Sequence, residues 1–451
     1  MKLTKYKLGD LVEVTRGASL SGQFYAEEGE LIRLTLGNFN MNGGGFKENT
    51  SKTDLYFTGP VKDEFILNKG DIITPLTEQS LGLLGTTARV PESGKYIQSQ
   101  DVALVRCKEG LLDPNFCYYL ISSSIVRQQL SAGAQQTKIR HTSPDKIKDC
   151  TVWVPEFEEQ KKIGRILSDI DEKITLNRQI NDNLEAMAKQ LYDYWFVQFD
   201  FPNEEGKPYK SSGGAMVWNE YLKREIPKDW EVEPLNNWLD IKSGFAFKSE
   251  TYQREGKYKI ITIKNVQNHH LETNGCDCIS ILPEGTKAWC KLKIDDRLIS
   301  LTGNCGRLCI VTEDNLLLNQ RVGLLDCERL LLNYAYAMLS SKEYQTKCDN
   351  LAKGAAQANL SPVELCKCLS ILPSKSVIER FDKYTSPLIE KLIKCEREIS
   401  TLTKQRDELL PLLMNGQASV NYHLSSTPTT AFGMINKAST GIIGTAKFDM
   451  D

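Results

Sequence analysis

The sequence predicts an α+β protein made of two diverged copies of one domain, each followed by a long helix. The phrase GAQQTKI at Gly133 returns as GAAQANL at Gly354, 354 − 133 = 221 residues later. Each copy leads into a short apolar run that ends in proline, at Pro155 and at Pro373, and each proline opens a long charged segment with helical periodicity. Because a repeat this long is a whole domain, the 451-residue chain is expected to form at least two cores.

The repeat continues along the chain in constant order. The matched phrases are LGDLVEVTRG with LNNWLDIKSG, RLTLGN with IITIKN, GDIITPLT with DDRLISLT, GTTARV with GRLCIV, SQDVAL with NQRVGL, and NFCYYLISS with NYAYAMLSS. The spacing between matched positions falls from 244 − 17 = 227 to 333 − 115 = 218. Insertions in loops produce such a drift, whereas agreement in order at so many places is not expected by chance.

Each copy has the sequence pattern of an α+β domain. Short runs such as RLTLGN, DIITPL and VALVRC, bounded by Gly, Asp or Pro, are typical of strands. The run PNFCYYLISSSIVRQQL predicts a helix, because its apolar residues share one face: Phe116, Leu120, Ile121 and Ile125. The matched glycines are interpreted as turn positions with positive φ: Gly17, Gly244, Gly85 and Gly306.

The two segments after the repeats carry apolar residues at alternating steps of four and three, which is a heptad pattern. In the first segment the seam comprises Ile163, Leu167, Ile170, Ile174, Asn177, Asn181, Leu184, Ala188 and Leu191. In the second it comprises Ile378, Phe381, Thr385, Leu388, Leu392, Cys395, Ile399, Leu402, Arg406, Leu409 and Leu413. Packing of each helix on its own domain is the simpler alternative. Two seams of similar length, each closing a repeat, favour a mutual coiled coil, in which the polar seam residues set the register.

Connectivity predicts that this coiled coil is antiparallel, with the halves related by an approximate two-fold axis. The predicted ranges are a first domain at 1–155, a central helix at 156–198, a linker at 199–230, a second domain at 231–373, a distal helix at 374–418 and a poorly ordered or peripheral tail at 419–451. A helix of about 30 residues is roughly 45 Å long. Major grooves on one face of B-DNA recur at about 34 Å, so a rod of this size suits two domains that contact one duplex.

Composition excludes several classes of protein. The net charge of −2 argues against a nucleic-acid coat protein, so a DNA-binding role would need clustered cations or a partner. The 13 cysteines and four histidines show no zinc spacing. No phosphate-binding loop of the G-x-x-x-x-G-K-[ST] type is present, and no Asn/Asp-Pro-Pro-Tyr/Phe stretch that holds a flipped base. The N-terminus has no signal-peptide pattern, so we expect a cytoplasmic protein. Because the motifs above are missing, we expect no catalytic site and no metal site on this chain.

The whole layout resembles the specificity subunit of type I restriction-modification systems. The resemblance rests on PEFEEQKKIGRILSDID at the start of the first helix, PNEEGKPYKSSGG in the linker and LLPLLMNG at the end of the second helix. It implies two target-recognition domains that contact the halves of a split DNA site. It also implies that the helices set the spacing and dock two modification subunits, which use S-adenosylmethionine to methylate adenine N6, and that restriction/translocase subunits join them. S-adenosylmethionine, ATP and Mg would then belong to partner subunits. A noncatalytic two-domain protein-binding scaffold is the alternative.

Candidate DNA contacts are polar residues in corresponding loops of the two copies, because base edges and phosphates are contacted by such side chains. The candidates are Thr15, Arg16, Asn38, Gln135, Gln136, Lys138 and Arg140 in the first copy, and Lys242, Ser243, Lys264, Asn265, Gln357 and Asn359 in the second. Arg140 and His141 are interpreted as lying in a three-residue insertion relative to the second copy, where the two halves could differ in specificity. For each residue taken singly, ordinary surface solvation or loop capping is the competing interpretation.

Overall fold

The computed structural model describes residues 1–41, 44–78, 82–133, 140–352, 358–421 and 434–437. It divides into two compact units: unit 1 is Met1–Ile174 with Thr401–Asp451, and unit 2 is Thr175–Ser400. Each unit therefore contains one globular domain and a stretch of both long helices. In the described part of the chain, no helix has the length and apolar character that a membrane span requires.

Unit 1 is built on short, mostly antiparallel sheets. Its strands are β1 (Thr4–Lys7), β2 (Val12–Arg16), β3 (Tyr25–Ala26), β4 (Ile32–Arg33), β5 (Tyr56–Phe57), β6 (Ile72–Pro75), β7 (Thr77–Glu78), β8 (Ala88–Arg89), β9 (Tyr96–Ile97), β10 (Val102–Cys107), β11 (Arg140–His141) and β12 (Thr151–Val154). The central sheet has the order β2-β10-β6-β8, a second sheet has the order β3-β5-β4-β9, and the remaining pairs are β1-β12 and β7-β11.

Unit 2 repeats this plan. Its strands are β13 (Met216–Asn219), β14 (Arg224–Pro227), β15 (Glu231–Pro234), β16 (Leu239–Ser243), β17 (Tyr258–Ile261), β18 (Cys278–Ile279), β19 (Arg297–Ser300), β20 (Leu308–Ile310), β21 (Leu316–Leu318), β22 (Val322–Cys327) and β23 (Leu369–Leu372). The order β16-β22-β19-β20 matches the central sheet of unit 1, and β15-β23 matches β1-β12. The pairs β4-β9 and β17-β21 are both parallel. The predicted tandem α+β fold is confirmed at the level of strand order.

The helices also correspond between the units. They are α1 (Leu8–Leu11), α2 (Pro114–Ser122), α3 (Ser124–Gly133), α4 (Pro144–Lys148), α5 (Phe157–Tyr192), α6 (Arg329–Ser340), α7 (Lys342–Ala352), α8 (Pro362–Cys366) and α9 (Lys375–Met414). The short helices α4 and α8 begin alike, with a serine N-cap and a proline at the first position. Ser143 Oγ accepts a hydrogen bond from the Lys146 N–H, and Ser361 Oγ accepts one from the Glu364 N–H.

Three local predictions differ from the structure. The helix predicted through residue 130 is two helices, because Ser123 is extended and its hydroxyl donates to the Leu120 carbonyl. The run RLTLGN is a strand only at Arg33 and then turns into a 3₁₀ helix at Leu36–Asn38. The segment predicted as a linker contains the β13-β14 hairpin.

The matched glycines are needed for two different reasons. Gly85 and Gly306 both have φ of 80°, as predicted. Gly17 and Gly244 do not have positive φ. They are glycines because a Cβ would lie 2.2 Å from the Gln98 carbonyl oxygen and 2.1 Å from the Leu318 carbonyl oxygen, respectively. The turn interpretation is therefore wrong for this second pair, where the neighbouring backbone leaves no room for a side chain.

The long helices follow the predicted seams closely. Ile163 and Leu167 are fully buried in the core of unit 1 together with Leu413. The structure also buries most of the other seam residues, among them Ile170, Ile174, Ile378, Phe381, Leu392, Cys395, Ile399 and Leu402, while Leu184, Leu191, Leu388 and Leu409 are half-buried. In unit 2, Asn177 pairs with Glu398 and Asn181 with Glu396, so the residue numbers run in opposite directions on the two helices. The helices are antiparallel, as predicted.

Strands β24 (Ala418–Asn421) and β25 (Met434–Lys437) form a hairpin ladder after α9. Ala418 and Val420 are buried in the core of unit 1. The remainder of the segment predicted to be a poorly ordered or peripheral tail, 422–433 and 438–451, lies outside the described residues.

An arginine links the central sheet to the following helix in both units. Arg89 Nη2 donates to Asn115 Oδ1 (2.7 Å) and its guanidinium lies 5.0 Å from the Tyr118 ring centre. In unit 2, the buried Arg297 donates to Asn333 Oδ1 (3.0 Å) and lies 5.4 Å from the ring of Tyr336.

The two arginines come from different strands. In unit 1, Arg89 of β8 pairs in register with Ile72 of β6. In unit 2, the arginine is on β19, the counterpart of β6, and Arg297 pairs in register with Ile310 of β20. The copies have therefore exchanged arginine and isoleucine across one strand pair while keeping the contact to the helix.

Candidate nucleic-acid interface

Backbone hydrogen bonds bring several candidate segments together at one edge of unit 1. The Ala18 N–H donates to the Gln98 carbonyl (2.9 Å), and the Leu76 N–H donates to the Asp101 carbonyl (2.8 Å). The Thr142 N–H then donates to the Leu76 carbonyl (2.8 Å). Residues 15–18, 98–101, 76–78 and 140–142 thus lie side by side, and we call them the unit 1 edge.

The same ladder exists in unit 2. The Phe245 N–H donates to the Leu318 carbonyl (2.9 Å), and the Leu301 N–H donates to the Arg321 carbonyl (3.0 Å). The Leu360 N–H donates to the Leu301 carbonyl (2.7 Å). Residues 242–245, 318–321, 301–303 and 358–360 form the unit 2 edge. The two edges present different side chains on equivalent backbones.

The strand-end candidates lie on these edges. Thr15 and Arg16 end β2 and are exposed. Their counterparts Lys242 and Ser243 end β16. Lys242 forms an ion pair with Asp326 and its ammonium group lies 5.6 Å from the ring centre of Trp289. Arg16 therefore offers an exposed guanidinium, whereas Lys242 is already engaged by a carboxylate.

The candidates Asn38 and Asn265 have a structural role. The Asn38 side chain, which is 2% exposed, accepts from the Thr35 N–H (2.9 Å) and donates to the Lys47 carbonyl (3.2 Å). Asn265 makes the equivalent bonds to the Thr262 N–H (2.8 Å) and the Glu272 carbonyl (2.8 Å).

These buried amides hold one turn in each unit, and contact of Asn38 or Asn265 with DNA stays a prediction. Lys264, next to Asn265, is exposed and stays a candidate.

The structure aligns the segment at Arg140 and His141 with the second copy differently from the sequence prediction. His141 pairs with Thr77 in the β11-β7 ladder, and Asn359 forms a bridge with Thr302 at the equivalent place. His141 is therefore the counterpart of Asn359, and both are exposed. Because 140–142 aligns with 358–360, the extra residues of the first copy fall before Arg140 rather than at it.

Arg140 is anchored within its own unit. Its guanidinium donates to Ser131 Oγ (3.2 Å) and lies 3.8 Å from the carboxylate of Glu78. The buried Glu78 accepts the N–H groups of Leu83 and Leu84 at 3.0 and 3.1 Å. Arg140 thus balances a carboxylate that organises the neighbouring loop. The candidates Gln135, Gln136, Lys138 and Gln357 lie outside the described residues.

Two exposed residues of the edges were not among the candidates from sequence. One lies in the turn before β10 and the other in the turn before β22. Gln100 and Gln320 are exposed at the same place in the two turns. The match of SQDVAL with NQRVGL was the signal that could have found them, because it aligns the two glutamines.

Beside the turn, unit 1 has a polar cleft of about 300 Å³ whose lining includes Ala18, Arg33 and Asp101. The Arg33 guanidinium stacks 3.7 Å from the ring centre of Tyr25. In unit 2, Phe245 takes the position of Ala18 at the edge and packs against Phe247 at 5.1 Å. The two edges therefore differ in shape as well as in polarity.

The helix seam carries charges that are paired. Arg406 Nη1 donates to Asp171 Oδ1 (2.8 Å), and Tyr119 Oη donates to Asp171 Oδ2 (2.6 Å). Burial works against the charged form of Arg406, but Asp171 and Asp407 outweigh it and raise the pKa of its guanidinium. Burial, with Asp171 beside it, also raises the pKa of Tyr119. This network fixes one register of the two helices within unit 1.

The described residues hold no cluster of His, Cys, Asp and Glu that could bind a metal ion. The cysteines of the chain are free thiols. Burial raises the pKa of Cys150 and of Cys276 to about 11, so both are protonated at neutral pH and are poor nucleophiles.

Comparison with known proteins identifies relatives of this arrangement. The model of the type I restriction modification DNA specificity domain matches residues 2–186 and 227–375. The MjaIX specificity subunit of a type I restriction enzyme from Methanocaldococcus jannaschii is 27% identical over 327 residues, covering 69% of this chain and 71% of that protein. The HindI specificity subunit from Haemophilus influenzae is 22% identical over 373 residues, covering 71% and 81%.

A solved structure shares the fold. The crystal structure of a type I restriction-modification S subunit from M. genitalium superimposes with a TM-score of 0.58 at 19% identity. The superposition covers 92% of this chain and 96% of that one.

Proposed function

The chain belongs to the family of type I restriction modification DNA specificity domains, and from this premise we propose how its two edges select DNA. Its function is the sequence specificity of a type I restriction-modification complex. Each unit contacts one half of a split DNA site through its own edge. The unit 1 edge serves the first half-site and the unit 2 edge serves the second.

The duplicated edge is the observation that carries this proposal. Both units fix the same backbone ladder, yet matched positions differ in chemistry: Arg16 against Ser243, and His141 against Asn359. Base discrimination depends on the donors and acceptors that a protein presents in the groove. Equivalent frames with unlike side chains are suited to two half-sites of different sequence.

Partners supply what this chain lacks. A net charge of −2 is low for a protein that holds a duplex alone. Two modification subunits would add phosphate contacts and the adenine-N6 methyltransferase chemistry, and restriction/translocase subunits would add cleavage. The chain itself is noncatalytic in this scheme, and S-adenosylmethionine, ATP and Mg are bound by the partners in the cytoplasm.

Helix α5 offers a surface for such a partner. Leu176 and Met187 are 52% and 53% exposed. They are eleven residues apart, about three turns, so both lie on one face of the helix. Exposed apolar residues on one face of a long helix are suited to binding another helix, here one from a modification subunit.

The proposal is tested with the chain co-purified with its modification subunit. Sequencing of methylated adenines in DNA from cells that carry the pair should give one split motif, methylated on both strands. Methylation without a common motif would contradict the proposed function.

Gel-shift measurements separate the alternative, a scaffold that binds protein only. The chain with its modification subunit should shift a duplex that carries the motif more strongly than a scrambled duplex. A scaffold would shift the two duplexes equally, because phosphate contacts made by the modification subunit do not depend on sequence. Methyl transfer by the purified chain alone would contradict the noncatalytic assignment.

A further inference from the structure

Each unit has a four-residue turn immediately before the long strand of its central sheet. The Val102 N–H donates to the Ser99 carbonyl (3.0 Å), and the Val322 N–H donates to the Asn319 carbonyl (2.9 Å). The second residue of each turn is an exposed glutamine, Gln100 or Gln320. The turns occupy the same place in the unit 1 edge and the unit 2 edge.

Hydrogen bonds from neighbouring residues hold the backbone of both turns. In unit 1, the carboxamide of Gln98 donates to the Thr15 carbonyl (2.9 Å) and to the Val102 carbonyl (3.0 Å). In unit 2, the Gln320 N–H donates to the Phe245 carbonyl (3.0 Å). Gly17 and Gly244 let the neighbouring strand approach without a side chain. A turn fixed in this way holds its side chain in a defined direction before DNA binds, which favours binding of one particular base.

Both glutamine side chains are exposed. Among the residues that the structure describes, neither Gln100 nor Gln320 finds a side-chain hydrogen-bond partner. A carboxamide carries a donor and an acceptor side by side, the pair that matches adenine N6 and N7 in the major groove. A free carboxamide on a rigid turn at the same place in both units is thus equipped for base contact.

The residue that follows each glutamine differs in charge. Asp101 is half-buried and lines the cleft of unit 1, whereas Arg321 is exposed. A carboxylate accepts a hydrogen bond from cytosine N4, and a guanidinium donates two to guanine O6 and N7. The residues that follow the two glutamines therefore favour different bases, cytosine for Asp101 and guanine for Arg321.

Building on the proposed function, we propose that Gln100 and Gln320 are base-contacting residues, one for each half-site, and that each specifies an adenine. Asp101 and Arg321 make the adjoining position differ, with cytosine favoured beside Gln100 and guanine beside Gln320. The two halves of the recognised site thus share one feature and differ at the next position.

The experiment uses the complete chain in complex with its modification subunit. Binding is measured on a randomised duplex library, and then on the preferred duplex and its single-base variants. Gln100→Ala should reduce affinity about 5- to 150-fold for the preferred duplex, the range expected for one base contact, and should relax one position of the first half-site only. Gln320→Ala should do the same in the second half-site, and Arg321→Ala should relax the position beside it.

The conservative variants Gln100→Glu and Gln320→Glu keep the size of the side chain and remove its donor. They should shift the preferred base from adenine to cytosine at the same position. Gln417→Ala, an exposed glutamine in the segment after α9, is the matched control and should leave the motif unchanged.

Wild-type specificity in both alanine and both glutamate variants would overturn this proposal while the wild-type split motif still supported the proposed function. Relaxation of both half-sites by a single variant would also overturn it, because one turn would then not serve one half-site. A wild-type complex with no preferred duplex would refute the proposed function and this assignment together.

Discussion

Single residues in this chain are constrained more by backbone contacts than by their own chemistry. The repeat shows that Gly17 and Gly244 are equivalent, but it does not show why each is glycine. A glycine required for positive φ and a glycine required by close backbone packing cannot be told apart in the sequence. The buried turn residues Asn38 and Asn265 show the same limit. Their polar side chains predict DNA contact from sequence, and the structure adds a role that sequence does not show, since each amide holds the backbone of its own turn.

Gly244→Ala should lower the free energy of unfolding by about 2 to 3 kcal/mol, since the new methyl group would overlap the Leu318 carbonyl and force the strand apart. Denaturant titration of the purified chain measures this. Gly133→Ala is the control, because a Cβ there meets nothing within 4 Å. Equal stability of the two variants would show that the edge backbone yields freely.

A titratable cluster lies where α9 meets the domain of unit 2. The His270 Nδ1 atom lies 3.3 Å from Glu396 Oε2, and the other carboxylate oxygen, Oε1, accepts a hydrogen bond from Asn181 Nδ2 (2.5 Å). Burial, with Asp182 and Glu396 nearby, raises the pKa of Glu185 to about 7. The hydrogen bond to Glu396 raises the pKa of His270 against the opposing effect of burial.

Both shifts predict that unit 2 loses stability as pH rises. Glu185 has a raised pKa when folded, so its contribution is complete below pH about 4.5 and is lost as pH rises through about 7. The pKa of His270 is also raised when folded, so its contribution is present below pH about 6.5 and is lost as pH rises above that value. Glu185→Gln should flatten the pH profile and should be more stable than wild type at pH 8 by roughly 1 kcal/mol, allowing for solvent screening.

Thermal unfolding between pH 5 and pH 8 checks this expectation. Glu172→Gln, at an exposed position of the same helix, should keep the wild-type profile. If the profiles of wild type and Glu185→Gln run parallel, the carboxyl group does not titrate in this range.

Elements of the two units are held together by matching contacts that use different residues. The arginine that joins sheet to helix comes from β8 in unit 1 and from β19 in unit 2, and in each case its strand partner is an isoleucine. The guanidinium contacts equivalent asparagine and tyrosine residues from either strand. The contact is therefore present in both units although the residues at the two strand positions differ. An alignment shows these positions as unlike residues and hides the exchange.

Exchanging Arg89 and Ile72 in unit 1 should restore part of the stability that either single substitution removes. Arg89→Ile should cost about 1 to 2 kcal/mol, because it leaves Asn115 and Tyr118 without the guanidinium. Ile72→Arg alone should cost about 3 kcal/mol, because it adds a second cation beside the first. The double variant should be less destabilised than the sum by at least about 1 kcal/mol. Additive free energies of unfolding would show that position 72 cannot replace position 89.

The elements that could be predicted from the sequence are those with long periodic patterns. The seams of α5 and α9 were recognisable because burial recurs along many turns, as at Ile163 and Ile174. The end of the strand at Arg33 was not recognisable, because the run that follows alternates like a strand while Asn38 bends the backbone through its side chain. The β13-β14 hairpin was hidden in a segment whose glycine, proline and serine content is typical of a loop.

At the scale of the whole molecule, the proposed role of α5 and α9 is to set the distance between the two half-sites that the complex accepts. Seven residues add about 10.5 Å to a helix and turn its face by only about 20°. A heptad copied after Ile174 in α5 and a matching heptad copied before Thr401 in α9 would lengthen both helices and keep the antiparallel seam. Along the chain, both insertions fall between the Arg406–Asp171 pair and the Asn177–Glu398 pair, so neither pair is separated from its partner.

The paired insertion should leave both half-site sequences unchanged and lengthen the spacer between them. About three base pairs match the added length, but each added base pair also rotates the second half-site by about a tenth of a turn, so an increase of about one to three is expected. Sequencing of methylated adenines measures the spacer directly. An insertion in α5 alone should abolish methylation, because the seam of α9 then has no partner in register. An unchanged spacer in the paired variant would show that something other than the helices sets the distance.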